Sequence, residues 1–185
     1  MTVPDPRDEL VEHLPAMRAF ALNLTRNSAT ADDMVQDAIE KAWVNFDSFN
    51  QGSNMRAWLF TILRNTYYSA RRKTRREVAD VDGVHTEALA EKPAHDGRLQ
   101  MVDFRWAFSQ LGDEQREALL LVGASGFTYE EAAEMCGVAV GTIKSRTGRA
   151  RKQLADLMQL EEDDALEMTD EATLSVLTAA KAASF

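Results

Sequence analysis

Apolar residues recur three and four positions apart along most of this 185-residue chain, and the recurrence fails between residues 77 and 100. That period buries one face of a helix, whereas a half-buried strand needs strict alternation, so the pattern predicts an all-α fold. The break carries Gly83, Pro93 and Gly97 in an acidic context, which reads as a flexible linker between two small helical domains. The predicted organisation is a domain over residues 7–76, a linker over 77–100, a second domain over 101–158 and an acidic tail over 159–185.

In the first domain, Leu10, Val11, Leu14, Met17, Ala21 and Leu24 mark one amphipathic helix from Arg7 to Arg26, with Pro15 as a point of irregularity and Asn27 and Ser28 closing it. Thr30 and Asp33 resemble a capping-box start for a second helix. Its predicted buried stripe is Met34, Val35, Ala38, Ile39, Ala42, Trp43 and Phe46. After a polar loop over 47–53, Asn54 is placed to cap a third helix with Met55, Leu59, Ile62, Leu63 and Thr66 inward. In the second domain, helices are expected at Val102 to Leu111, Glu114 to Val122, about Thr128 to Cys136, and Thr142 to about Leu157. The last should turn Ile143, Thr147, Ala150, Leu154 and Leu157 inward.

The 30 acidic against 21 basic residues give a net charge of −9, which by itself argues against a nucleic-acid partner. The distribution reverses that inference. Residues 51–76 hold seven bases and no acid, and residues 141–152 hold five bases and no acid, so two basic patches sit on an acidic body. The single cysteine, Cys136, leaves no intrachain disulfide and fits a reducing, cytoplasmic setting. No apolar run approaches the ~20 residues of a membrane span, so no membrane insertion is expected, and the acidic start is unlike a signal peptide. The three histidines are scattered, so no metal or cofactor is expected. The chain offers no nucleophile and base pairing or phosphate loop, which argues against an enzyme.

Three stretches carry functional chemistry. From Thr128 to Leu154, Ala133, Gly137 and Ile143 stand where a helix-turn-helix needs a small crossing residue, a left-handed turn residue and an apolar lock. The face beyond them offers Lys144, Ser145, Arg146, Gly148, Arg149, Arg151 and Lys152 to base edges and phosphates. The plain alternative is a helical hairpin with a solvated basic face. On the third helix, Arg64, Asn65, Tyr67, Tyr68, Arg71 and Arg72 interleave cations with aromatic rings, as unpaired bases require. The competing reading is that a tyrosine packs into the core and the arginines complement the helix end. On the second helix, Asp33, Gln36, Asp37 and Glu40 line one face, which on spacing alone reads as solvated surface and otherwise as a dock for a basic helix.

Taken in this order, "ADDMVQDAIEKAW", "NMRAWLFTILRNTYYSARRKTRR" and "TYEEAAEMCGVAVGTIKSRTGRARKQL" resemble the extracytoplasmic-function (ECF) family of bacterial sigma factors, from Arg7 to about Leu157. The resemblance implies a sigma domain 2 and a sigma domain 4. It implies core RNA polymerase as partner, through the clamp helices of its largest subunit and its flap, with Asp33, Gln36, Asp37 and Glu40 docking on the clamp helices. It implies promoter DNA as the second partner. The third helix and preceding loop would then melt and read the minus-ten element through Phe49, Asn54, Arg64, Asn65, Tyr68, Arg71 and Arg72. The last helix would read the minus-thirty-five element through Thr142, Lys144, Ser145, Arg146, Arg149 and Arg151.

The segment "LGDEQREALLLVGASGFTYEEAAEMCGVAVGTIKSR" is most similar to the general-stress-response sigma factors of alphaproteobacteria, which implies control by a small anti-sigma factor of the NepR type. Gly148 departs from the family pattern, where many relatives carry a bulky residue. The tail from Leu160 to Phe185 lies outside the pattern. Two other functions compete: a sigma-like decoy that sequesters an anti-sigma factor, and a plain helix-turn-helix regulator. A decoy should lack the basic reader face and carry a receiver domain; a plain regulator leaves residues 7–76 without a role.

Overall fold

The computed structural model describes Arg7, residues 9–79 and residues 99–158, with backbone alone at 77–79 and 99–103. The interior of the expected linker and the acidic tail therefore lie outside the described residues. The chain divides into two compact units, residues 1–89 and 90–185, and each is built from helices. No strand occurs among the described residues.

The first unit packs α1 (Glu9–Thr25), α2 (Ser28–Val44) and α3 (Met55–Ala79) against one another. Its core is Met17, Phe20, Ala21 and Leu24 from α1, Ala31, Ala38 and Ala42 from α2, and Leu59, Phe60 and Leu63 from α3. Phe20 and Phe60 meet at 5.2 Å between ring centroids. Alanines on α2 let its neighbours approach closely, and the aromatic rings fill the remaining width. Arg18 on α1 pairs with Asp32 on α2, its Nε donating to Oδ1 at 2.6 Å. The pair is surface-exposed and contributes only about 0.2–1 kcal/mol.

Several sequence expectations shift here. Asn27 does not close α1. Arg26, with φ of 58°, ends it in the left-handed region, and Asn27 caps α2, its Oδ1 accepting from the Thr30 N–H at 2.9 Å. An amide side chain in extended backbone is the better cap, so the Thr30 start gives way to it. We expect Asn27→Ala to cost the first unit about 1 kcal/mol in urea unfolding, with no change in the second unit.

The buried stripe of α2 holds at Met34, Val35, Ala38, Ala42 and, just past the helix, Phe46, but not at two of the expected positions. Ile39 is half-buried, and Trp43 is 54% exposed with the Arg7 guanidinium 5.1 Å from its ring centroid. Val11 is likewise exposed near the start of α1. On α3, Ile62 is only half-buried, and Phe60 and Tyr67 take core positions instead.

The second unit centres on α7 (Val140–Met158), against which α4 (Leu99–Ser109), α5 (Asp113–Leu119) and α6 (Tyr129–Cys136) pack. Helix α4 starts before the expected Val102, and α7 starts two residues before Thr142. Helix α5 does not run regularly to Val122. It widens into a π-helical turn over Leu120–Ala124, where the Ser125 N–H reaches back to the Leu120 carbonyl at 2.8 Å. The core gathers Phe104, Leu111, Leu119, Leu120, Leu121, Ile143, Thr147, Ala150 and Leu154. Leu157, expected inward, is half-buried, and Ala155 is buried in its place.

Candidate nucleic-acid and partner interfaces

The helix-turn-helix is built from local chemistry. Thr128 and Glu131 form a reciprocal capping box: the Glu131 N–H donates to Thr128 Oγ1 at 3.1 Å, and the Thr128 N–H donates to Glu131 Oε2 at 2.9 Å. Gly137 ends α6 in the left-handed region at φ 65°, ψ 35°, where a Cβ is strained. The next amide, Val138 N–H, returns to the Ala133 carbonyl at 3.1 Å, as a left-handed helix end requires. Ala133 is buried at the crossing, and Ile143 is fully buried as the lock of α7. All three expected offsets are therefore occupied as the motif demands.

The outward face of α7 presents Lys144, Ser145, Gly148, Arg149 and Lys152, all exposed. Arg149 is braced along the helix, its Nε donating to the Ser145 carbonyl at 3.2 Å and its Nη2 to Ser145 Oγ at 3.2 Å. The Lys144 ammonium lies over the Tyr129 ring at 5.6 Å. Both cations are thus partly ordered before any contact, which lowers the entropy lost on binding. Thr142 and Arg151 are half-buried, at the flanks of this face. Arg146 departs from the expectation: its guanidinium is turned back onto Glu114 of α5 at 2.6 Å.

On α3, the basic and aromatic side chains sort into two layers. Tyr67 is buried, its hydroxyl donating to the Leu24 carbonyl at 3.4 Å and accepting from Arg71 Nη1 at 3.1 Å. It belongs to the core, and Arg71 is tied to it. Tyr68 stays at the surface under Arg64, whose guanidinium carbon is 4.7 Å from the ring centroid. Asn65 is exposed, and Arg72 donates to Ser69 Oγ at 3.0 Å.

Phe49 stands at the head of the loop before Asn54, with its ring turned inward. Its ring packs at 5.1 Å from Trp58 and 5.9 Å from Phe46, leaving 9% of the residue exposed. Asn54 is occupied as a helix cap, Oδ1 accepting from the Ala57 N–H at 3.0 Å. The concave surface nearby is a groove of about 390 Å³, whose lining includes Lys41, Asn45, Ser48, Trp58, Asn65 and Ser69. Such a set offers amides, a hydroxyl, a cation and an indole to a base and its phosphate.

Asp33, Gln36, Asp37 and Glu40 are all exposed along α2. Gln36 Nε2 donates to Glu40 Oε1 at 3.0 Å, while Asp33 and Asp37 have no ion-pair partner among the described residues. Three and four residues past Glu40, Trp43 and Val44 continue the same face, 54% and 79% exposed. The acidic stripe therefore ends in an apolar pair. Sequence periodicity places Trp43 in the core; in the structure its ring is met by the Arg7 guanidinium, 5.1 Å from the ring centroid, and more than half of the residue stays exposed. Among the described residues no group of three side chains could hold a metal ion.

Comparison with known proteins joins these surfaces. The Sigma-70 region 2 family matches residues 10–77, and the Sigma-70, region 4 family matches residues 103–154. Two helical units carrying those regions in that order define the class of two-domain sigma factors. The chain is 51% identical over 155 residues to the ECF RNA polymerase sigma factor EcfG of Rhodopseudomonas palustris, covering 84% of this chain and 86% of that one. It is 35% identical over 136 residues to the ECF RNA polymerase sigma factor SigC of Mycobacterium tuberculosis, covering 73% and 72%. Among solved structures, the sigma factor RpoE in complex with the anti-sigma factor NepR from Bartonella quintana superposes with a TM-score of 0.75 at 52% identity, covering 86% of this chain and all of that one. The chain belongs to the ECF RNA polymerase sigma factors.

Proposed function

We propose that this chain binds core RNA polymerase through the acidic face of α2 and directs it to promoters by reading two DNA elements. Asp33, Gln36, Asp37 and Glu40 dock on the polymerase, with Trp43 as an apolar anchor at the end of the stripe. Arg64, Asn65, Tyr68 and Arg72, beside the groove between α2 and α3, take the minus-ten element, and Lys144, Ser145 and Arg149 take the minus-thirty-five element. The observation that carries the reading is the preformed helix-turn-helix, with exposed Lys144 and Arg149 on a face free of acids.

The net charge of −9 then acts as a restraint. An acidic body repels duplex DNA, so free binding stays weak until polymerase supplies the missing affinity. Engaging two elements at once converts two modest contacts into one selective event. Transcription places this action in the cytoplasm; no helix among the described residues is long and apolar enough to cross a membrane. By analogy with its NepR-bound relative, the chain is held inactive by a small anti-sigma factor and released under stress.

Run-off transcription with core polymerase on a promoter library tests the reading: transcripts should require this chain and a defined pair of upstream elements. Transcription that never depends on the chain would sink it. Within the same assay, Asp33→Ala with Asp37→Ala should weaken polymerase capture about tenfold or more while helicity is retained. Unchanged capture would remove the acidic stripe from the docking surface.

A further inference from the structure

Arg146 was expected among the readers of DNA, and its surroundings assign it elsewhere. It stands three residues after Ile143 and four before Ala150, both fully buried, so helical geometry puts it at the seam of α7. Its side chain is only 14% exposed, whereas that of its partner Glu114 is 65% exposed. The guanidinium Nη2 donates to Glu114 Oε2 at 2.6 Å across 32 residues of sequence. Glu114 lies in the first turn of α5, the helix whose body packs along α7. The bridge therefore ties the reader helix, near its DNA-facing end, to the start of a second helix.

We propose that Arg146 is a positioning residue, and that the Glu114–Arg146 bridge sets the tilt at which α7 offers Lys144, Ser145 and Arg149 to the major groove. Lys144 and Ser145 lie immediately before Arg146 and Arg149 one turn beyond it, so a rotation about the buried Ile143 moves all three together. Base readout depends on bidentate geometry and tolerates little misplacement, whereas phosphate attraction tolerates much. Loss of the bridge should then blur sequence preference and leave non-specific DNA attraction nearly intact. The proposal rests on α7 being the reader helix.

The test uses the full chain with core polymerase on templates whose upstream and downstream elements are both randomised, sequencing the transcribed pool. If the unaltered chain enriches no upstream sequence, the reader assignment itself fails. If it does, Glu114→Gln should lower upstream enrichment about tenfold and leave downstream enrichment unchanged. The charge-exchanged pair, Glu114→Arg with Arg146→Glu, should restore enrichment to within about threefold of the starting level, an outcome that a direct base contact by Arg146 cannot give. Three results overturn the proposal: unchanged enrichment in Glu114→Gln, no rescue by the exchanged pair, or loss of preference at a single base position in Arg146→Gln. Thermal melting accompanies each variant. Should Arg146→Gln fail to fold, Glu114→Gln still decides the matter, because it alters only the exposed partner.

Discussion

Replacing both Lys144 and Arg149 with alanine should abolish promoter-dependent run-off transcription while core polymerase is captured as before. Each good side-chain contact to a base contributes about 1–3 kcal/mol of discrimination, so losing two removes about 2–6 kcal/mol. Converted at 1.4 kcal/mol per decade, transcription from the preferred promoter falls by roughly 30-fold to 10⁴-fold. The fold should not account for the loss. Both side chains are exposed, and the groups they touch, the Ser145 backbone and hydroxyl and the Tyr129 ring, are local and replaceable by water. Surface changes of that kind usually stay within about 0.5 kcal/mol. Run-off product at near-normal levels in the double variant, with melting unchanged, would show that α7 does not read the promoter. Loss of polymerase capture in parallel would instead mean that this face binds protein.

The contrast between those two cations and Arg146 shows what the sequence could and could not disclose. The helix-turn-helix was legible because each requirement is local: Thr128 caps three residues ahead, Gly137 turns the chain at its own φ, and Ile143 locks by helical phase. The contact of Arg146 with Glu114 was not legible, because composition records a positive charge and not its partner 32 positions away. The burial of Phe49 was hidden for a related reason. Its neighbour Trp58 lies beyond a polar loop, and only the folded chain brings the rings to 5.1 Å. Tyr67 and Tyr68 are adjacent in sequence and enter different layers, a distinction that depends on where the Leu24 carbonyl falls. Trp43 shows the converse: periodicity gives the direction of a side chain, but burial needs a partner surface, and Trp43 remains 54% exposed. The net charge was misleading for a similar reason, since a whole-chain sum erases the two acid-free helices that hold twelve of the 21 bases.

Arg116→Met should destabilise the second unit by about 3–5 kcal/mol and leave the first unit untouched, a loss close to the whole stability of so small a domain. The charge is 1% exposed, among the most deeply buried groups of the chain, and it belongs to no surface discussed above. Its Nη2 donates to the Leu111 carbonyl at 2.6 Å and the Ser109 carbonyl at 3.4 Å, its Nε to the Phe108 carbonyl at 3.4 Å, and its Nη1 to Asp113 Oδ1 at 3.2 Å. Those carbonyls are where α4 ends, and helix ends leave carbonyls without intrahelical donors. A guanidinium is suited to the task because its donors diverge in one plane, and the negative end of the helix dipole adds to the attraction. Methionine fills similar volume with no donor, so the Ser109 and Leu111 carbonyls lose the guanidinium at once, while the Phe108 carbonyl keeps the Leu111 N–H at 3.3 Å. Arg116→Lys keeps the charge but offers its donors from a single point, so it should recover less than half of the lost stability. Hydrogen exchange provides the measurement. Amides of α4 and α5 should exchange at least tenfold faster in Arg116→Met, while those of α1 to α3 keep their rates, and promoter selection should fail even though polymerase is still captured. Equal protection of α4 in the variant and the parent would mean that water satisfies the end of α4, and that the buried charge contributes to neither fold nor reader.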